Sequence, residues 1–249
     1  MLDIIRKRFG LLGRNINYSF SKGYFTEKFN NENFEGCTYE NFDIQEISSF
    51  PEIIKNNPDL KGLNVTIPYK ESVIPFLSKL SKKAALIGAV NTIKISKKGK
   101  LKGYNTDYYG FKKSLKPLLQ SHHKKALILG TGGASKGVAF ALEELDIPYA
   151  FVSREAKENA ISYERINSTT FDNYQIIINS TPVGTSPNTK AFPLIPYEYF
   201  TEKHIAYDLI YNPAETQFLK KAAAQGAQIK NGLDMLIFQA DKAWKVWNK

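Results

Sequence analysis

The sequence predicts an α/β protein whose second half is a doubly wound parallel sheet, and three observations predict it. From residue 107 onward, short apolar runs alternate with helix-length amphipathic stretches. The run Gln175-Ile-Ile-Ile-Asn179 is nearly all apolar, as a parallel strand covered on both faces requires. A glycine-rich turn, Gly130-Thr-Gly-Gly133, stands between an apolar run and a helix-forming stretch.

Taken in order, residues 9–13 read as a first strand. Ser21 is then a plausible N-cap for a helix bearing Tyr24, Phe25, Lys28 and Phe29 at helical spacing. Residues 38–42 look extended, and Phe50-Pro51 opens a short helix that stops near Asn56-Asn57-Pro58. Residues 63–67 form a strand, and 70–80 a helix with Val73, Ile74, Leu77 and Leu80 on one side. Residues 89–95 and 100–103 make a hairpin around Lys97-Lys98-Gly99. A helix over 108–119 follows, then the strand 126–129, the helix 134–145 and the strands 149–152, 175–179 and 204–208. A helix over 213–225, a strand over 228–230 and a helix opening at Gly232 complete the chain.

The length of 249 residues suits one large or two ordinary domains, and 43% hydrophobic with 23% charged residues suits a globular core. The expected division is 1–106 with 232–249, and 107–231. Cys37 is the single cysteine, so an intramolecular disulfide and a multi-cysteine metal site are excluded, and a reducing compartment is expected. The first ten residues lack the apolar core of a signal peptide, and no apolar run reaches the roughly 20 residues of a membrane span. The expected location is therefore the cytoplasm. The net charge of +10 comes from lysines scattered in pairs, such as Lys82-Lys83 and Lys220-Lys221, and not massed in one block. That pattern reads as a solvated basic surface without a nucleic-acid or membrane partner, and its field favours anionic small molecules.

The run Gly130-Thr-Gly-Gly-Ala-Ser-Lys-Gly137 has the context of a dinucleotide site: its glycines admit a pyrophosphate, and the helix N-terminus supplies donors. The strict spacing asks for glycine where Ser135 stands. After the next strand come Ser153-Arg154-Glu155. An arginine there suits the 2′-phosphate of NADP and an acid the ribose of NAD, so NADP is preferred and NAD stays open.

Lys70 follows a proline at the end of a strand, and Asp107 stands at a strand-to-helix junction. A solvated lysine and a helix N-cap are the plain readings of each. Asn64, Thr66, Asn91, Thr92, Asn105 and Thr106 beside them suit the hydroxyls of a small polyol acid. A lysine and an aspartate delivered to one cleft then form a proton-handling pair.

Five stretches in order, Asn64-Val-Thr-Ile-Pro-Tyr-Lys70, Gly88-Ala-Val-Asn-Thr92, Gly103-Tyr-Asn-Thr-Asp107, Gly130-Thr-Gly-Gly-Ala134 and Gly232-Leu-Asp-Met-Leu236 with Gln239, resemble the shikimate dehydrogenase family over essentially the whole chain. The resemblance implies an N-terminal α/β substrate domain completed by the C-terminal helix, plus a Rossmann-type domain, and NADPH-dependent reduction of 3-dehydroshikimate to shikimate. It implies Lys70 and Asp107 as the catalytic pair. Ser19 and Ser21 would bind the substrate carboxylate, and Asn64, Thr66, Asn91, Asp107 and Gln239 its hydroxyls, with Tyr211 close by. Gly130, Gly132, Gly133, Ala134, Ser153, Arg154 and Gly232 would hold the cofactor, with no metal and with a monomer or homodimer as the working form. The chain departs from the family pattern at Tyr18, Lys22, Tyr69 and Ser153-Arg154-Glu155. The alternatives are an NAD-dependent quinate/shikimate dehydrogenase and a non-catalytic nucleotide-binding regulator.

Overall fold

The computed structural model describes residues 6–16, 19–154 and 160–249, so Tyr18 and Glu155 lie outside the described residues. The chain divides into two compact units, Met1–Thr106 with Ala240–Lys249 and Asp107–Gln239.

The first unit runs β1 (Lys7–Gly13), α1 (Phe20–Asn31), β2 (Cys37–Asp43), α2 (Phe50–Asn56), β3 (Leu60–Val65), α3 (Tyr69–Ser72), β4 (Lys79–Leu80), α4 (Lys82–Ile87), β5 (Thr92–Ile95) and β6 (Leu101–Tyr104). The second runs α5 (Asp107–Leu115), β7 (Ala126–Leu129), α6 (Gly133–Glu143), β8 (Tyr149–Ser153), β9 (Ala160–Ser162), α7 (Ser168–Asn173), β10 (Ile176–Asn179), β11 (Ile205–Asp208), α8 (Gln217–Ala223) and β12 (Gln228–Lys230). The last helix, α9 (Leu233–Trp247), crosses the division.

The first sheet is mixed, in the order β2-β1-β3-β5-β6-β4. Its β5–β6 hairpin pairs antiparallel, as does β5 with β3. Alternation along β1 sends Phe9 and Leu11 to one face and Leu12 to the other, because successive strand residues point oppositely. The first face packs Phe25 and Phe29 of α1 and Ala243, Val246 and Trp247 of α9. The second packs Phe50, Tyr69 and Val73. Trp247 closes the first face: its ring stacks on Phe9 at 4.8 Å, its Nε1–H donates to the Ile93 carbonyl at 2.9 Å, and it occupies the space that a side chain at Gly62 would need.

The second sheet is wholly parallel, in the order β12-β11-β10-β7-β8-β9. Counted within the unit this is the doubly wound order 3-2-1-4-5-6, with its switch point between β7 and β10. Ile176, Ile177 and Ile178 are fully buried, which accounts for their unbroken apolar run.

Several sequence expectations need correction. The helix expected over 70–80 is only α3, followed by a 3-10 turn at Ile74–Phe76 and the strand β4. Pro75 cannot donate to the helical ladder, and its ring clashes with the preceding turn, so the apolar spacing of Val73, Ile74, Leu77 and Leu80 does not carry a helix. The N-cap of α1 is Ser19, not Ser21; its side chain accepts from the Ser21 N–H. The helix expected from residue 213 starts at Gln217, because Thr216 caps it. Asp107 is the first residue of α5 and lies inside that helix. Three elements escaped the sequence reading. One is α4, capped by Ser81 and closed by Gly88 at φ +69°; the others are β9 and α7, the latter with a reciprocal Asn167/Thr170 cap.

A buried carboxylate organises the C-terminal edge of the second sheet. Asp208 ends β11 fully buried and accepts from Thr216 Oγ1 at 2.6 Å, Asn179 Nδ2 at 3.1 Å and the Ile210 N–H at 3.0 Å. Burial nevertheless pushes its pKa up to about 6, with those three donors pulling the other way.

Two outcomes follow for stability. Trp247→Ala should cost about 3–5 kcal/mol, read as a lower urea unfolding midpoint, since it empties the space over Gly62 and strips the Ile93 carbonyl of its donor. Asp208 binds its proton more tightly folded than unfolded, so its contribution to stability should fall as pH rises from the ordinary carboxylate range through about 6. Asp208→Asn should flatten that fall by up to roughly 3 kcal/mol, measured as the difference between wild-type and variant unfolding free energies at pH 4 and pH 7.

Candidate functional site

In the first unit the sheet register assembles the polar groups. Asn64 of β3 lies directly opposite Thr92 of β5, which lies opposite Tyr104 of β6, and Asn105 and Thr106 follow at once. Asn64, Asn91, Thr92, Asn105 and Thr106 are all at most 4% exposed. Five polar side chains at that depth are tolerable only if they satisfy one another.

They do so through Asn91. Its Oδ1 accepts from the Thr106 N–H at 2.6 Å and from Thr92 Oγ1 at 3.0 Å, and its Nδ2 donates to Thr106 Oγ1 at 3.0 Å. Its carbonyl accepts from the Val65 N–H at 2.8 Å and from Asn64 Nδ2 at 3.3 Å. Asn64 Nδ2 also donates to Thr92 Oγ1 at 3.3 Å, and Asn105 Nδ2 donates to the Ala89 carbonyl at 3.1 Å.

Lys70 sits on the single turn of α3 and is partly exposed. Its carbonyl accepts from the Val90 N–H at 2.7 Å, which binds its backbone to the segment carrying Asn91. The Ile67–Pro68 bond before it is cis. Tyr69, where the family pattern has histidine, is buried at 3% exposure, and its hydroxyl donates to the Ile44 carbonyl at 2.7 Å. That residue belongs to the packing on the second face. Thr66 is partly exposed, and its carbonyl accepts from the Tyr69 N–H at 2.9 Å.

Ser19 and Ser21 stand at the N-terminus of α1, whose first turn holds no acidic residue. Such a terminus favours an anion. Sequence reasoning missed Tyr39 of β2, which register places opposite Phe9, while Asn64 of β3 lies opposite Leu11, so both share the α1 face of the sheet. Its hydroxyl donates to Asn64 Oδ1 at 2.8 Å. Complete burial holds that phenol well above its ordinary range, with the Ser21 side chain opposing the rise.

The second unit brings the glycine turn to the switch point of its sheet. Gly130 takes φ +101°, and its N–H donates to the Val152 carbonyl at 2.9 Å. A side chain at Gly130 would be strained and would meet Thr181, so only glycine fits there. Gly132 is the N-cap of α6 and has nothing within 4 Å of a would-be Cβ. No side chain caps α6 and no acid sits in its first turn, which runs from Gly133 and Ala134 to Ser135, whose hydroxyl donates to the Gly132 carbonyl at 2.6 Å. An open cradle on an uncapped helix N-terminus fits a pyrophosphate.

Ser153 ends β8 buried, and Arg154 follows it exposed, in the position for an adenosine ribose or its 2′-phosphate. Gly232 has a packing reason for its identity: its N–H donates to the Ile210 carbonyl at 3.0 Å, and a side chain would run into Leu209. Gly110, one turn beyond Asp107, abuts the backbone of Met235 and Gln239, and Asp107 and Gln239 are both buried. Tyr211 lies in the loop after β11. Sequence reasoning also missed Asn179, whose Oδ1 accepts from Thr181 Oγ1 at 2.6 Å; the readable signal was a polar residue closing a buried parallel strand.

Among the described residues no group of three or more His, Cys, Asp or Glu could hold a metal ion, and no helix is long and apolar enough to cross a membrane.

Comparison with known proteins bears on the whole chain. The family model described as the shikimate dehydrogenase substrate binding domain matches residues 11–93. The NADP(+) shikimate dehydrogenase of Caldanaerobacter subterraneus subsp. tengcongensis is 36% identical over 99% of this chain and 93% of its own. That of Clostridium botulinum is 38% identical over 96% of this chain and 95% of its own. The crystal structure of the Thermus thermophilus shikimate 5-dehydrogenase, in complex with NADP(H) and shikimate, superposes with a TM-score of 0.86 at 32% identity, covering 97% of this chain and 93% of that one. With its motifs in order and its likeness running through both units, the chain belongs to the shikimate dehydrogenase family.

Proposed function

We propose that this chain catalyses the reversible NADPH-dependent reduction of 3-dehydroshikimate to shikimate, on the route to aromatic amino acids. One observation carries the reading: the likeness to NADP(+) shikimate dehydrogenases extends over 99% of the chain and is not confined to residues 11–93. The first unit with α9 is the proposed substrate part, and the second the cofactor part. Bound NADPH supplies the hydride that reaches the ketone carbon.

The chain's own residues do the rest. Ser19 and Ser21, at an anion-favouring helix terminus, receive the substrate carboxylate. Asn64, Thr66 and Asn91 meet ring hydroxyls; the Asn64 amide is held by the Asn91 carbonyl and the Asn91 amide by the Thr106 hydroxyl, so little reorganisation accompanies binding. Asp107, Gln239 and Tyr211 are further substrate contacts. Lys70 stabilises the oxygen that becomes negative as hydride arrives, and gives it a proton from its ammonium group. Asp107 is its proposed partner in proton handling. In the direction of oxidation the same amine takes that proton back as hydride leaves. Gly130, Gly132, Gly133 and Ala134 cradle the pyrophosphate, and Ser153 and Arg154 receive the adenosine end, with Gly232 nearby in the cofactor set.

The deciding experiment follows nicotinamide absorbance with shikimate and either NADP or NAD. Turnover with NADP and not NAD is expected; no turnover with either sinks the reading, and faster oxidation of quinate with NAD turns it to the alternative. Lys70→Met should lower kcat by about 10²–10⁴-fold while the circular dichroism spectrum and unfolding midpoint stay unchanged. Gly132→Val should leave the unfolding midpoint within a degree or two, because a side chain there meets only open space, yet raise KM for NADP by roughly 10-fold or more through obstruction of the pyrophosphate.

A further inference from the structure

Tyr39 is a fully buried titratable side chain of the first unit that reaches a proposed substrate group without belonging to that set. Its ring stacks on Phe25 at 4.6 Å with planes 13° apart, and Trp247 stands behind it at 6.4 Å. The hydroxyl therefore arrives at a position set by aromatic packing and donates to Asn64 Oδ1 at 2.8 Å.

The orientation of the Asn64 amide is determined from both ends. Its Nδ2 faces the Asn91 carbonyl, which can only accept, so the nitrogen cannot exchange places with the oxygen. Its Oδ1 faces a phenol that donates. Both N–H groups have partners, at 3.3 Å each, while Oδ1 keeps a second lone pair. What the amide still offers an incoming hydroxyl is thus an acceptor. Ser21 flanks the same phenol.

We propose that Tyr39 is a positioning residue for substrate: it locks Asn64 with Oδ1 as an acceptor for a ring hydroxyl and couples that amide to Ser21, which receives the carboxylate. The inference rests on the shikimate reading of the site. Removing the phenol oxygen leaves Asn64 Oδ1 short of a donor in a buried place and frees the amide to swing, while the stack on Phe25 persists. The loss should therefore fall on substrate binding and not on the chemical step.

The experiment compares wild type, Tyr39→Phe, Asn64→Ala and the double variant by steady-state kinetics with shikimate and NADP, and by titration of shikimate alone. Tyr39→Phe should raise KM and the shikimate Kd by roughly 10-fold, the effect of one well-placed hydrogen bond. Its kcat should stay within about two-fold, and KM for NADP and the unfolding midpoint should stay near wild type, readouts that general damage to the core would move together. In the Asn64→Ala background the same substitution should add little, because the group it acts through is gone. Unchanged KM in Tyr39→Phe, or full additivity in the double variant, overturns the positioning role while leaving the shikimate reading intact. Failure of wild type to bind or oxidise shikimate overturns both.

Discussion

The architecture of the first unit depends on one buried residue, Asn91, through its backbone and its side chain together. Its carbonyl receives the Val65 N–H at the end of β3, its own N–H reaches the Tyr104 carbonyl at the end of β6, and its Oδ1 takes the Thr106 N–H beyond. A buried amide whose oxygen takes a backbone N–H and whose nitrogen donates to the Thr106 hydroxyl is directional in a way that an apolar residue is not. It holds three chain segments at fixed separation just where the regular ladders stop. The groups proposed to touch substrate are attached to those segments, and Lys70 is bound to them through its carbonyl and Val90.

The second unit solves the same problem with a charge. Asp208 at the end of β11 gathers Asn179 from the neighbouring strand and Thr216 from the start of α8. Asn179 in turn arranges Thr181, beside the glycine turn. In both units the parallel or mixed sheet supplies a level row of strand ends, and a polar side chain on that row sets the loops that leave it. The two rows differ in cost: the amide cluster is neutral, whereas the carboxylate retains a desolvation penalty despite three donors.

Much of this was legible beforehand. The parallel sheet followed from its alternating apolar runs, the glycine turn from its flanking strand and helix, and the β5–β6 hairpin from Lys97-Lys98-Gly99. Asn64, Thr92, Asn105 and Thr106 stood out as polar groups at strand ends. What failed were local boundaries decided by distant partners. Thr216 starts α8 late because Asp208 holds its hydroxyl, and Pro75 breaks a stretch whose apolar spacing alone says helix. Tyr39 was invisible because a tyrosine in an amphipathic strand reads as ordinary core.

Taken alone, the sequence determined the alternation of elements, the glycine that a φ of +101° demands at Gly130, and the family to which the ordered motifs point. Those are properties of short windows: periodicity, backbone permissiveness and residue order. Only the tertiary structure decided that Tyr39, Asn64 and Ser21 share one face, and that Asn91 ties β3 to β6. Such relations depend on strand register and on which face each side chain takes, and a shift of a single residue in pairing would reverse every one of them.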